Sequence, residues 1–319
     1  MWLNALCKLE AAAAAMSPTG WSGLAGAAER TAREMNPQEV ANSLNALCKL
    51  EAAAAAVSPT GWAGLAGAAE RTASEMNPQE VANTLNALTK LEAAAAAVSP
   101  TGWVGLTEAA ERTAREMDPQ NIANTLNALC KLEAAAAAVS PAGWAGLAGA
   151  AERRARDMDP QNVANTLNAL CKLEAAAAAV SPAGWKILAD AAERMASEMT
   201  PQGVSNSLNA LSKLEAAAAA LSPTEWAGLA EAAEKTACEM NEQEVAMTLD
   251  ALGLLPAAAT ELPPSARKHL EAAAEREAPN MPSPPGTPDD TAGVREARAE
   301  DPIRVPQIVF HWDVWLASI

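Results

Sequence analysis

Four polar side chains recur together along the chain, and they are the residues best suited to hold a ligand. Gln38, Asn42, Asn45 and Lys49 stand at positions i, i+4, i+7 and i+11, which places them within about 60° on a helical wheel. A side-chain amide offers both hydrogen-bond donors and an acceptor, and an ammonium group adds positive charge. The same set returns as Gln79, Asn83, Asn86, Lys90; Gln120, Asn124, Asn127, Lys131; Gln161, Asn165, Asn168, Lys172; and Gln202, Asn206, Asn209, Lys213.

Stacking of these segments would align the residues into ladders of amides beside a row of lysines. A ladder of identical residues cannot read a varied sequence, but it can grip a regular backbone, made either of phosphates or of peptide groups. The alternative is that the amides only bond to one another and to neighbouring helices. We name these residues the amide ladder and predict that they form the ligand-binding face.

The sequence contains no arrangement typical of catalysis. Its two histidines, His269 and His311, lie outside the repeated segments, and no serine or cysteine is placed to form a nucleophile–base pair with them. Glycine loops that cradle phosphates are also missing. We therefore expect a protein that is not an enzyme and needs no small-molecule cofactor.

Cysteines occupy one recurring position, at Cys7, Cys48, Cys130 and Cys171, where other copies have Thr89 and Ser212. Packed helices lie about 8–10 Å apart, whereas a disulfide requires Cα atoms within about 4.4–6.8 Å, so equivalent cysteines should not pair. Their exchange for threonine and serine also argues against a metal site. We expect small, buried, reduced cysteines and hence an intracellular, reducing compartment.

The elements that position these residues repeat every 41 residues. Tryptophans recur at this spacing from Trp21 to Trp226, as do Ser-Pro pairs from Ser17 onwards, and such a period is typical of a solenoid. Serine is a good helix N-cap and proline a good first residue, so helix A should begin at Pro18 and end near Met35. Asn36 and Glu39 form a capping-box pattern for helix B, which we predict to run from Pro37 to about Val57.

Each of the two predicted helices carries an apolar stripe. The tryptophans lie on the stripe of helix A, and we assign them to the core rather than to ligand stacking. Gly20, Gly23 and Gly26 share one side of helix A, which indicates close helix approach. Glu51 lies at the edge of the helix B stripe, and we expect it to pair with an arginine equivalent to Arg30 or to reach solvent, because an unpaired buried carboxylate is costly.

Together these features predict an all-α fold, a right-handed αα-solenoid of about six 41-residue two-helix repeats followed by a disordered tail. The solenoid should span 1–255 with an incomplete first repeat, because Met1 and Trp2 lead directly into what is elsewhere mid-helix. Residues 256–278 could form a capping helix and 279–319 a disordered linker and tail, whose segment 303–319 is either an aromatic docking peptide or not native. The apolar runs are far shorter than the about 20 residues that span a bilayer, so no membrane partner is expected, and the protein should be monomeric.

Segment 36–47, Asn-Pro-Gln-Glu-Val-Ala-Asn-Ser-Leu-Asn-Ala-Leu, resembles a known kind of helical repeat. It is similar to the octotricopeptide-type and FAST-kinase-like repeats of algal and protist organellar RNA-binding proteins, with close copies at 78–88 and 160–170. The resemblance covers helix B, less than half of the chain, and Asn45 stands where the family pattern has a tryptophan. It implies an α-solenoid that binds organellar transcripts in a mitochondrion or chloroplast and acts in RNA processing, stability or translation.

Two functions follow from these patterns. In the first, the helix B face binds single-stranded RNA, with Lys49-type residues at phosphates and Asn42- and Asn45-type residues at bases or sugars. In the second, the chain is an interaction scaffold whose amide ladder grips an extended peptide or a basic protein partner. The net charge of −16 favours the second, and the resemblance favours the first.

Overall fold

The computed structural model describes residues 15–254, together with Lys268 and Ala272, both of which are helical. Within this part of the chain the fold is entirely helical. In the described residues, five 41-residue units contain a long A helix, a B helix and a short C helix, and a sixth contains an A and a B helix. The A helices are α1 (Pro18–Thr31), α4 (Pro59–Thr72), α7 (Pro100–Thr113), α10 (Pro141–Arg154), α13 (Pro182–Met195) and α16 (Pro223–Thr236).

The B helices follow the A helices after a short turn, part of which is 3-10 helix in four of the copies. They are α2 (Pro37–Leu47), α5 (Pro78–Leu88), α8 (Pro119–Leu129), α11 (Pro160–Lys172), α14 (Pro201–Lys213) and α17 (Glu242–Leu254). The C helices are α3 (Glu51–Ala55), α6 (Glu92–Ala97), α9 (Glu133–Ala138), α12 (Glu174–Ala179) and α15 (Glu215–Ala220).

Capping residues start the A and B helices as the sequence predicts. The Ser17 side chain accepts a hydrogen bond from the Gly20 backbone N–H at 3.2 Å. At the start of α2, Asn36 and Glu39 form a complete capping box, with each side chain accepting the other residue's backbone N–H. These local bonds satisfy N–H groups that have no partner inside the helix.

The predicted continuous helix from Pro37 to Val57 is wrong, because the chain turns at Leu50, where φ is −116° and ψ is 76°. Equivalent leucines in the next four copies have nearly the same conformation. The unit therefore has three helices rather than two. An unbroken helix over these residues would be about 30 Å long and would carry its alanines away from the A helix. The turn instead returns α3 to pack on α1 and buries Ala53 and Val57.

The units stack in order along the chain. Each A helix packs against the next A helix, and each B helix packs against the next B helix, from α2 through α17. The core lies between these layers. All six repeat tryptophans are buried, with 3–8% of their surface exposed, so their assignment to the core is confirmed.

The boundaries predicted for a capping helix at 256–278 and a tail at 279–319 fall almost wholly outside the described residues. The same holds for the incomplete first repeat before residue 15. Among the described helices, none combines the length and the apolar character that crossing a membrane requires.

Candidate binding face

The amide ladder lies on the outward side of the stacked B helices. Val40, Leu44 and Leu47 of α2 are buried against the core, and Gln38, Asn42, Asn45 and Lys49 occupy the opposite side. The glutamines and lysines of the ladder are exposed in all five copies, and the asparagines are half-buried. Because consecutive B helices are in contact, the ladder residues of one copy stand next to those of the following copy.

The ladder asparagines make no side-chain hydrogen bond to other protein groups among residues 15–254. The side-chain amides that do bond are helix caps, such as Asn36 and Asn77, which stand at the helix starts. The alternative that the amides bond to one another or to neighbouring helices therefore finds no support in the described part of the chain. Since a half-buried amide loses part of its hydration, an incoming ligand with matching polar groups can satisfy it at little cost.

Charges of both signs lie at one end of this face. Lys49 and its four equivalents are exposed, and two residues later Glu51 and its four equivalents, which open the C helices, are exposed as well. No ion pair joins either series to another residue in the described segments. The expected pairing of Glu51 with an arginine is thus wrong, and its other predicted position, in solvent, is observed. The lysine row is accompanied by an equal glutamate row and does not make a continuous positive stripe.

The cysteines lie between neighbouring B helices at the edge of the ladder. Cys48 donates to the Ala87 carbonyl oxygen of the next B helix, and Cys130 donates to that of Ala169, both at 3.4 Å. Burial raises the pKa of Cys130 to about 11 and also raises the pKa of Cys171, with nearby lysines opposing the shift. Cys48, Cys130 and Cys171 are half-buried rather than fully buried as expected, Cys238 is exposed, and none of the four forms a disulfide within the described residues. In the described residues no cluster of His, Cys, Asp or Glu could hold a metal ion.

At four of the described interfaces, a glutamate that was not predicted from the sequence links one repeat to the next. The Glu70 carboxylate, in the last turns of α4, accepts the backbone N–H of Ser99 at 2.6 Å and the Ser99 hydroxyl at 3.0 Å. Equivalent bonds link Glu29 to Ser58, Glu111 to Ser140 and Glu152 to Ser181. The side chain arrives where the next A helix has glycine, and a Cβ added to Gly102 would overlap the Glu70 carboxylate.

In the second to fifth repeats, the first glycine of each set mediates this close approach; in the sixth, Glu225 holds that position and Glu193 lies against the second glycine, Gly228. A Cβ added to Gly64 would make an ordinary contact with Ala32, and one added to Gly67 would meet nothing. In the second to fifth repeats, the expectation of close packing along all three glycines is therefore correct for the first position alone.

Arginines near the end of the A helices form a second link. Arg71 donates from its guanidinium to the carbonyl oxygens of Ala32 and Met35 in the preceding repeat, at 3.2 and 2.9 Å. Arg112 and Arg194 make the equivalent bonds in later copies. Ala32 and Met35 lie in the turn that follows the preceding A helix. Carbonyls at a helix end lack the full set of intrahelical partners, so the arginine acts as a cap supplied by the next repeat.

The sixth repeat departs from this pattern. Glu225 replaces the glycine at the close approach, and its own carboxylate accepts the backbone N–H and the hydroxyl of Ser222, each at 2.6 Å. It also accepts a hydrogen bond from Lys186 at 2.5 Å. Burial opposes ionisation, but the hydrogen bonds from Lys186 and Ser222 prevail and hold the pKa of Glu225 at about 2. Glu193, the equivalent of Glu70, makes no bond to Ser222.

Comparison with known proteins finds a family model that matches four segments of the chain. Residues 24–44, 65–85, 106–126 and 150–167 match a family model described as a protein of unknown function, DUF1601. Each match begins in an A helix and ends inside the following B helix, so it includes the ladder positions of Gln38 and Asn42. No curated protein sequence matches the chain. The repeated matches and the stacked helices agree that the chain is a helical-repeat protein.

Proposed function

We propose that the chain is a non-catalytic interaction scaffold whose amide ladder binds an extended, basic polypeptide segment. The observation that carries this proposal is the set of half-buried asparagine side chains without protein partners, repeated in register on α2, α5, α8, α11 and α14. A peptide backbone alternates N–H and C=O groups, and an asparagine amide complements both.

The spacing of the repeats suits a backbone of this kind. Packed helices lie about 8–10 Å apart, and an extended chain advances about 3.3 Å per residue, so one repeat corresponds to about three peptide residues. The five copies of the ladder therefore fit a segment of about 12–15 residues.

The charge of the surface favours a basic partner. The exposed glutamates that open the C helices, Glu51, Glu92, Glu133, Glu174 and Glu215, lie beside the ladder, and the whole chain has a net charge of −16. Such a surface attracts basic segments and repels polyanions.

Single-stranded RNA is the second candidate, and the row of exposed lysines at Lys49, Lys90, Lys131, Lys172 and Lys213 favours it. Helical-repeat proteins can present one base to each repeat. Two features weigh against RNA: the repeat tryptophans are buried and offer no stacking platform, and the glutamate row offsets the lysines. Transcript processing, stability or translation, and an organellar location, are proposals attached to this candidate.

The test is fluorescence anisotropy of the full chain with two labelled pools, at 50 and 200 mM salt. One pool holds 15-residue peptides with Lys or Arg at every third position, and the other holds mixed single-stranded RNA. We expect binding to the peptide pool and none to the RNA pool. Binding to RNA that weakens steeply with salt would establish phosphate contacts and overturn the peptide assignment.

A further inference from the structure

The sixth B helix, α17, ends the amide ladder with different chemistry. Its outward positions carry Met247, Asp250 and Leu254, where the first repeat has Asn42 and Asn45 on α2 and Lys49 in the turn that follows α2. α17 packs on α14 as the other B helices pack on one another, and its Val245 and Thr248 are buried while Met247 is half-buried and Asp250 exposed. The binding face therefore continues onto α17 but changes there from amides and a cation to two apolar side chains and a carboxylate.

Leu254 and Asp250 are unusual within the described surface. Leu254 is 61% exposed, one of two large apolar side chains that are exposed in this part of the chain. The Asp250 carboxylate takes part in none of the ion pairs or side-chain hydrogen bonds formed by the described residues. The two lie four residues apart and share one side of the helix, with Met247 one turn earlier.

This arrangement suits a lysine or arginine side chain, which buries its aliphatic stem on apolar surface and keeps its charged head at a polar group. Met247 and Leu254 would flank the stem, and Asp250 would meet the head. An equivalent basic residue finds no such combination at α2, α5, α8, α11 or α14, where the same positions are Asn, Asn and Lys.

A ladder of identical repeats gives a bound peptide several registers of equal energy, because a shift by one repeat restores every contact. We propose that Met247, Asp250 and Leu254 of α17 receive one basic side chain of the bound peptide and thereby fix its register on the ladder. The inference rests on the proposed peptide-binding function and assigns the specificity of that site to its last repeat.

Photo-crosslinking with short peptides tests the proposal. The probes are nine-residue Gly/Ser peptides with benzoylphenylalanine at the centre and one arginine, placed at the N-terminus in one probe and at the C-terminus in another. Nine residues cover about three repeats, so the peptide has room to slide over the five ladder copies. The full chain is crosslinked, and the modified residues are located by mass spectrometry.

With one of the two probes we expect crosslinks concentrated on α11 and α14. In a probe whose arginine is seated on α17, the benzoylphenylalanine stands about 13 Å away along the peptide, between the first and the second repeat from α17 at about 8–10 Å per repeat. The variant Met247→Asn/Asp250→Asn/Leu254→Lys installs residues that the other copies already hold, so it should fold. In this variant the crosslinks should spread evenly from α2 to α14 while the affinity changes less than threefold. A probe with serine in place of arginine should give the same spread on the unaltered chain.

If both arginine probes bind and their crosslinks spread as evenly over the B helices of the unaltered chain as over those of the triple variant, the register proposal is overturned but peptide binding is not. Absence of any crosslinking or binding would overturn the proposed function and this inference together. The single variant Asp250→Asn separates the carboxylate from the apolar contacts, and an unchanged crosslink pattern in it would overturn the role given to Asp250.

Discussion

The Glu70 carboxylate accepts the backbone N–H of Ser99, 29 residues further along the chain, at 2.6 Å. This contact crosses from one repeat to the next and reaches the residue that caps the following A helix. Four successive interfaces contain it, and at the fifth Glu225 provides a carboxylate from within the same helix. The order of the stack is thus held by a polar contact as well as by apolar packing.

Removal of this contact should destabilise the stack. Glu70→Ala leaves a half-buried N–H at Ser99 without its charged acceptor, and we expect a loss of about 2 kcal/mol in the free energy of unfolding. Urea unfolding followed by tryptophan fluorescence measures it. Glu193→Ala is the matched control, because Glu225 has taken over at Ser222, and its effect should stay within about 0.5 kcal/mol. Equal losses in the two variants would show that the glutamate acts through packing alone.

Glycines of the A helices should differ in their tolerance of alanine. Gly102→Ala places a Cβ against the Glu70 carboxylate and should cost about 1–3 kcal/mol. Gly67→Ala meets open space and should stabilise the chain by up to about 1 kcal/mol through helix propensity. Thermal unfolding monitored by circular dichroism gives both values. In the Glu70→Ala background most of the destabilisation by Gly102→Ala should vanish. If the stability losses of the two substitutions simply added, the close approach of Glu70 to Gly102 would be contradicted.

The arginine cap is absent from the last repeat, where Lys235 holds the arginine position and pairs with Glu231 at 2.8 Å. Lys235→Arg should create bonds to the end of α13 like those of Arg112 and raise the stability by about 0.5–1 kcal/mol. Arg112→Lys should lower it by a similar amount, since lysine lacks the guanidinium fork. Chemical unfolding measures the stability of both variants. If neither substitution changes the free energy of unfolding, the arginine does not cap the preceding helix.

The cysteines should differ in reactivity with pH. Because burial raises the pKa of Cys130 to about 11, only about one thiol in a thousand is ionised at pH 8. Exposed Cys238 should therefore react with iodoacetamide well before Cys130, as measured by mass spectrometry.

The same raised pKa makes stability depend on alkaline pH. The folded state keeps its Cys130 proton while the unfolded thiol ionises at about 9, so the stabilisation is complete below pH 9 and is lost as the pH rises towards 11. In Cys130→Ser, which copies Ser212, this part of the decline should be missing. If the stability of the unaltered chain and that of Cys130→Ser fall in parallel between pH 9 and 11, the raised pKa of a buried Cys130 thiol is contradicted.

Local signals made much of this fold predictable. Ser17 and Asn36 mark helix starts through bonds that reach only three residues, and the tryptophans follow the helical period that defines the core. The turn at Leu50 escaped prediction because no proline or glycine marks it; packing of α3 on α1 overrides the helix propensity of the alanines.

The amide ladder could also be predicted in part from local signals. The side shared by Gln38, Asn42, Asn45 and Lys49 follows from their spacing on one helix, whereas the glutamate row beside them is placed by the turn at Leu50. The Glu70–Ser99 contact depends on how the end of one A helix packs against the start of the next, and the spacing of residues along the sequence does not give that packing. The sequence does contain one sign of this contact. In the sixth repeat Glu225 stands where the other repeats have glycine, and in that repeat Glu225, not Glu193, binds the capping serine Ser222.

We propose that the amide ladder binds an extended peptide. The most direct measurement compares the anisotropy of the basic 15-residue peptide pool with two full-length variants. Asn45→Ala/Asn86→Ala/Asn127→Ala removes three ladder amides, and Ser22→Ala/Ser74→Ala/Ser197→Ala removes three exposed hydroxyls on the A side. We predict at least a tenfold loss of affinity in the first variant, none in the second and unchanged helicity in both. Equal affinity of the two variants, or binding of the RNA pool in place of the peptide pool, would contradict the account.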